Sequence, residues 1–162
     1  SREELIEELA TQQSKITDLE KIKNKLEDLE KEKDILLDDL KERVKELNCL
    51  YDISKINEVT NIPLEELFQK IVEIIPPGWK YPEIACARIK LEGQEFKTSN
   101  FKETKWKLDA PIYYYNNDIG KLEVFYLEER PELEEGPFLS AERKLILAIV
   151  EKLGHIIERK YS

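Results

Sequence analysis

The sequence predicts an α+β protein: a long N-terminal coiled-coil helix, then an antiparallel sheet of about four strands flanked by helices. Three observations predict it. Before residue 51 there is no glycine, no proline and no aromatic residue. Through the same stretch apolar residues recur in alternating steps of three and four. Beyond it, strand-length alternating runs are separated by turn residues and bracketed by two helical-period stripes.

A stretch free of helix breakers and dominated by Glu, Lys, Leu, Asp and Ile forms one continuous helix. From Arg2 to about Asn57 it would be roughly 85 Å long. A helix of that length is marginal unless it packs along a partner. Its apolar spacing names the partner. Leu5, Leu9, Gln12, Ile16 and Leu19 make one run, and Ile22, Leu26, Leu29, Lys33, Leu36 and Leu40 a second. Val44, Leu47, Tyr51 and Ser54 make a third. This is a coiled-coil seam, weakened at Gln12 and Lys33. The interface residues are Leu5, Leu9, Ile16, Leu19, Ile22, Leu26, Leu29, Leu36, Leu40, Val44 and Leu47.

Two slips interrupt the repeat. Leu19 to Ile22 arrives one residue early, and Leu40 to Val44 repeats a step of four. Slips of this kind overwind or unwind a supercoil locally, so Leu40 to Ser54 is expected to be switchable between nearby registers. No turn signal precedes Asn61, so the seam has no partner within the chain and is expected to close as a parallel homodimer. Opposite charges at helix-neighbour spacing, such as Glu27 with Lys31, read as a solvated face.

Composition changes near residue 51, which divides the chain into a dimerisation helix over 1–50 and a compact domain over 51–162. A turn at Thr60–Pro63 ends the first helix, and Pro63 opens a second. There Leu64, Leu67, Phe68, Ile71, Val72 and Ile75 share a face, and Pro76-Pro77-Gly78 stops it. Strands are expected over Ile84–Leu91, Gln94–Thr98, Trp106–Tyr114 and Ile119–Glu128, with turns at Glu92-Gly93 and Asn116-Asn117-Asp118. A last helix carries Leu145, Ile146, Ile149, Leu153, Ile156 and Ile157 on one stripe, with Ser140 as its expected N-cap. The charged helical start and the missing stop signal at the end suggest an excised fragment.

The totals narrow the function. With 26 basic against 35 acidic residues the net charge is −9, which disfavours nucleic acid and anionic membranes as partners. No apolar run reaches bilayer length and no secretory signal opens the chain, so a cytoplasmic location without membrane insertion is expected. Cys49 and Cys86 belong to no metal-ligand cluster and read as buried reduced thiols. His155 is the only histidine and lacks the acidic neighbour and following proline of a histidine-kinase phosphoacceptor motif. The five glycines form no phosphate loop. No metal, cofactor or catalytic residue is expected.

Several separated blocks carry a family resemblance. Glu42-Arg43-Val44-Lys45-Glu46-Leu47 and Leu50-Tyr51-Asp52-Ile53-Ser54 resemble the leading helix of a small GAF-like domain. So do Pro76-Pro77-Gly78-Trp79, Tyr81 through Ile89, Phe96-Lys97-Thr98, Leu122-Glu123-Val124 and Gly136-Pro137-Phe138-Leu139. Such domains occur in archaeal and bacterial sensor histidine kinases, often beside PAS domains. The resemblance covers roughly 41–160. It implies a cytoplasmic input or relay module of a two-component system, coupled to an output kinase domain in the full-length protein. The alternative is a small-molecule sensor, with a ligand seated between the sheet and the Phe101–Trp106 loop against Cys86, Phe101 and Trp106. The segment between Thr98 and Lys105 is short for building such a pocket.

Overall fold

The computed structural model describes residues 1–58 and 62–161. The fold is α+β: helix α1 (Arg2–Asn57), helix α2 (Leu64–Ile74), strands β1 (Ala85–Leu91), β2 (Gln94–Lys97), β3 (Lys107–Tyr114) and β4 (Asn117–Tyr126), and helix α3 (Ser140–Lys160). Short 3-10 turns at Pro76–Gly78 and Pro82–Ile84 join α2 to β1. The expected turn at Thr60-Asn61 lies outside the described residues. Two compact units divide the chain, Ser1–Lys41 and Glu42–Ser162.

The first unit is helix from Arg2 onward, and every one of its side chains is exposed. The second unit starts at Glu42, nine residues before the change in composition. There α1 already has one face toward the domain, with Cys49 and Ile53 buried and Glu42, Lys45, Glu46 and Leu50 partly covered. Composition could not register this, because a docked helix face needs only an apolar residue every third or fourth position.

All four strands are antiparallel, in the order β2-β1-β4-β3. Alternation sorts their side chains between two faces. Ala87, Ile89, Phe96, Leu108, Ala110, Ile112, Leu122, Val124 and Tyr126 join the core with α2 and α3. Both hairpins turn on two residues at positive φ, Glu92 (46°) with Gly93 (87°), and Tyr115 (45°) with Asn116 (69°). Two-residue turns of this kind match the twist of the strands they join. The second turn is therefore Tyr115-Asn116, one position earlier than the Asn-rich triplet suggests, and β4 begins at Asn117.

β3 is a terminal strand, which is why Pro111 is tolerated in it. Helix α3 lies close along β3. Arg143 Nη1 donates to the Asp109 carbonyl at 2.6 Å. At Gly154 a Cβ would stand 2.7 Å from the Tyr113 carbonyl oxygen, so only glycine permits that approach. Ser140 is the first residue of α3 rather than its cap. Leu139 occupies the cap position in extended conformation, and its N–H is satisfied by the Glu142 carboxylate at 2.8 Å. That is the side-chain half of a capping box without the hydroxyl half.

Candidate functional site

The expected seam can be followed residue by residue. In the first unit Leu5, Leu9, Ile16, Leu19, Ile22, Leu26, Leu29, Leu36 and Leu40 are all exposed. In the second unit Val44, Leu47 and Tyr51 are exposed at 46%, 65% and 60%, whereas Cys49 and Ile53 on the same helix stand at 3% and 0%. At 100° per residue, the exposed set and the buried set lie on opposite sides of α1. Ser54 leaves the seam: it is half-buried, and its hydroxyl accepts a bond from Lys152 Nζ of α3 at 2.8 Å.

The residues proposed for a ligand do not gather in one place. Cys86 and Phe101 belong to the sheet face away from α2 and α3. Cys86 is fully buried and its thiol donates to the Lys102 carbonyl at 3.5 Å. Burial pushes that thiol above its ordinary pKa, against the opposing effect of its contacts with Lys102, Phe125 and Arg88. Phe101 packs edge-on to Phe125, with ring centroids 5.6 Å apart. Trp106 instead packs against the core on the helix side. Cys49 is also a buried thiol, raised to about 12 by burial and then by Asp52. Neither cysteine is a thiolate nucleophile at neutral pH.

What fills the outer sheet face is an ion network that the residue pattern did not announce. Arg88 of β1 and Glu123 of β4 are register partners, and both are buried. Arg88 Nε donates to Glu123 Oε1 at 2.8 Å and Nη2 to Glu103 Oε1 at 2.6 Å. The guanidinium lies 4.8 Å from the Phe101 ring centroid. Lys107, Lys121 and Lys90 approach Glu123 at 3.4, 3.7 and 3.8 Å. Burial alone would raise the Glu123 pKa, but Arg88 and the lysines overcome it and hold the carboxyl below its ordinary value. Strand spacing shows such charges pointing to one face, but their pairing needs the register.

A second buried carboxylate sits on the opposite face. Glu142 of α3 is 1% exposed and accepts three bonds: from Leu139 N–H, from Lys80 N–H at 2.9 Å and from the Tyr126 hydroxyl at 3.0 Å. Burial raises its pKa, the three donors lower it, and the nearby Glu42 raises it again; the net shift is upward. Its partner Tyr126 is likewise raised, first by burial and then by Glu142. The sequence contained a partial signal, a Glu three residues after the end of an irregular loop.

The two carboxylates have opposite linkage to pH. Glu123 titrates lower when folded, so its stabilisation is present above its ordinary 4.5 and lost as pH falls through the folded value. Glu142 titrates higher when folded, so its contribution is fully present below 4.5 and lost as pH rises through the raised value. The stability of the native chain relative to Glu142→Gln is therefore expected to increase as pH drops from about 7.5 to about 5. Urea midpoints at the two pH values check this; a gap that is flat or narrows contradicts the assignment.

His155 is exposed and borders a shallow groove of about 470 Å³ with Tyr113, Tyr115, Leu147 and Glu151. Among the described residues that line this groove there is no Ser, Thr or Cys to pair with it as a nucleophile. Among the described residues no group of three or more His, Cys, Asp or Glu side chains is placed to hold a metal ion. Among them too, no helix is long and apolar enough to cross a membrane. Comparison with known proteins adds no assignment: no family model, curated protein or solved structure matches this chain.

Proposed function

We propose that this chain is a non-catalytic dimerisation and signal-relay module, the input or relay region of a cytoplasmic sensor histidine kinase. In this reading Glu42–Ser162 is a GAF-like domain, and α1 pairs with α1 of a second copy as a parallel coiled coil. The supporting observation is the division of α1 into two faces. One face, with Cys49 and Ile53, is sealed against the domain; the other, with Val44, Leu47 and Tyr51, carries apolar side chains into solvent. In the first unit the stripe from Leu5 to Leu40 is equally uncovered. Apolar residues repeating over so many turns without cover mark an interaction surface, and a seam of this spacing fits a second copy of itself.

The small-molecule alternative requires room beside Cys86. Phe101, Phe125 and the Arg88 guanidinium occupy that side of the sheet, which favours the relay over the ligand sensor.

The test joins mass to orientation. Light scattering at micromolar concentration is expected to give twice the chain mass. Leu26→Cys is expected to form an interchain disulfide on mild oxidation, because a parallel in-register pair sets residue 26 opposite its own copy. The native thiols are buried and do not compete. A monomer excludes the reading; a dimer in which Leu26→Cys stays reduced excludes the parallel arrangement.

A further inference from the structure

Between helices α1 and α3 one peptide group is held from both sides. The Trp79–Lys80 peptide lies in the connection between α2 and β1. Its carbonyl oxygen accepts a bond from Lys45 Nζ of α1 at 2.8 Å. Its N–H, that of Lys80, donates to Glu142 Oε2 of α3 at 2.9 Å. The other Glu142 oxygen, Oε1, takes the Leu139 N–H that caps α3. The series therefore runs from an ammonium on α1, across one planar amide, to a carboxylate that holds the start of α3. Glu42, one helical turn before Lys45, steadies the ammonium at 3.0 Å.

Three physical features make this series more than adjacency. The amide is rigid, so a pull on its oxygen rotates its N–H as one body. Lys45 carries charge, and when Glu142 is ionised charge-assisted bonds at both ends polarise the amide between them, so each strengthens the other. The surroundings are tight: Trp79 is fully buried, and Tyr126 braces Glu142 from β4. Gly78, just before Trp79, leaves a Cβ only 3.1 Å from Cys49 Cβ of α1 and 3.2 Å from Leu145 Cδ2 of α3, so the connection is wedged between the two helices.

We propose that the Trp79–Lys80 peptide is a conformational coupling element, transmitting displacement of Lys45 on α1 to the first turn of α3 through Glu142. This rests on the relay reading above and supplies its path within the folded domain. Lys45 lies one residue beyond the Leu40–Val44 slip in the seam, where a change of register would first be felt.

The experiment is amide hydrogen exchange by NMR on the whole chain, read at Lys80 and Leu139. Lys45→Met keeps the methylene stem and removes the charge. It is expected to speed exchange at both amides by about five- to tenfold, the range of a modest coupling free energy. Leu139 touches Glu142 and not Lys45, so its response reports transmission. In a Glu142→Gln background the same Lys45→Met change is expected to leave Leu139 exchange unaltered. Lys45→Gln, which keeps a neutral donor, should give an intermediate response and serves if Lys45→Met folds poorly. Ser54→Ala, which removes the bond from Lys152 of α3 to α1, should leave Leu139 unchanged. The proposal is overturned if Lys45→Met and Lys45→Gln alter Lys80 but not Leu139, or if their effects simply add to those of Glu142→Gln. A monomer in light scattering would remove the dimer-relay reading and leave this intrachain coupling standing. Persistence of the dimer with an unresponsive Leu139 would remove only the coupling.

Discussion

Replacing Leu26 and Leu40 together by Asp is expected to convert a dimer of this chain to monomers without unfolding Glu42–Ser162. Both leucines are exposed in the single chain, at 61% and 57%, so the substitution removes nothing from the domain core. In a paired seam each becomes a carboxylate with no counter-ion, facing its own copy. An uncompensated buried charge costs several kcal/mol, so the two sites should weaken association by at least about 3 kcal/mol, a hundredfold or more in Kd. Sedimentation across a concentration series measures the change. Near-ultraviolet circular dichroism should be retained, because the aromatic residues begin at Tyr51 and the buried ones lie in the domain core. An unchanged dissociation constant would mean that α1 pairs through another face, or not at all.

The second large effect concerns the outer face of the sheet. Glu123→Leu should destabilise the domain by about 3 kcal/mol, the lower part of the range for breaking a buried ion pair. The loss comes less from the attraction removed than from the charge left behind. Arg88 would keep Glu103 but remain largely desolvated, while Lys90, Lys107 and Lys121 would lose the anion they converge on. Adding Arg88→Met should recover much of the loss, because a neutral face lined by Phe101 and Phe125 accepts a thioether stem. Urea unfolding of the two single variants and the double variant closes the cycle. A double variant weaker than both singles would show that the network contributes by packing rather than by pairing.

The two sides of the sheet therefore do different work. On the outer side Arg88, Glu123 and the segment carrying Phe101 and Glu103 close over the strands. On the inner side the buried carboxylate of Glu142 joins three parts of the chain: β4, the connection after α2 and the start of α3. The domain is thus filled on one side and polar-linked between its first and last helices on the other. Phe101, Phe125 and the Arg88 guanidinium lie on the Cys86 side.

Much of this organisation was legible from residue order. The extent of α1 follows from an absence of breakers, and its exposed apolar stripe from a repeat of three and four. The strands follow from alternation between hairpin turns, and the apolar face of α2 from helical period. Each of these is decided by neighbours within a few positions, where the backbone's own geometry limits the choices.

Other features depended on which distant segments meet. That α1 docks through Cys49 and Ile53 from Glu42 onward, and that Ser54 faces Lys152 rather than the seam, follows from packing against residues as far as 98 positions away. The cap at Leu139 instead of Ser140 depends on Glu142 being drawn inward by Lys80 and Tyr126. Arg88 and Glu123, 35 residues apart, become a buried pair only because β1 lies beside β4 in that register. Local sequence determined the helices and strands of this protein and the exposed apolar stripe along its first helix. Tertiary structure decided which charges are buried and what they hold, because the cost of burying a charge is set by partners that the neighbouring sequence does not contain.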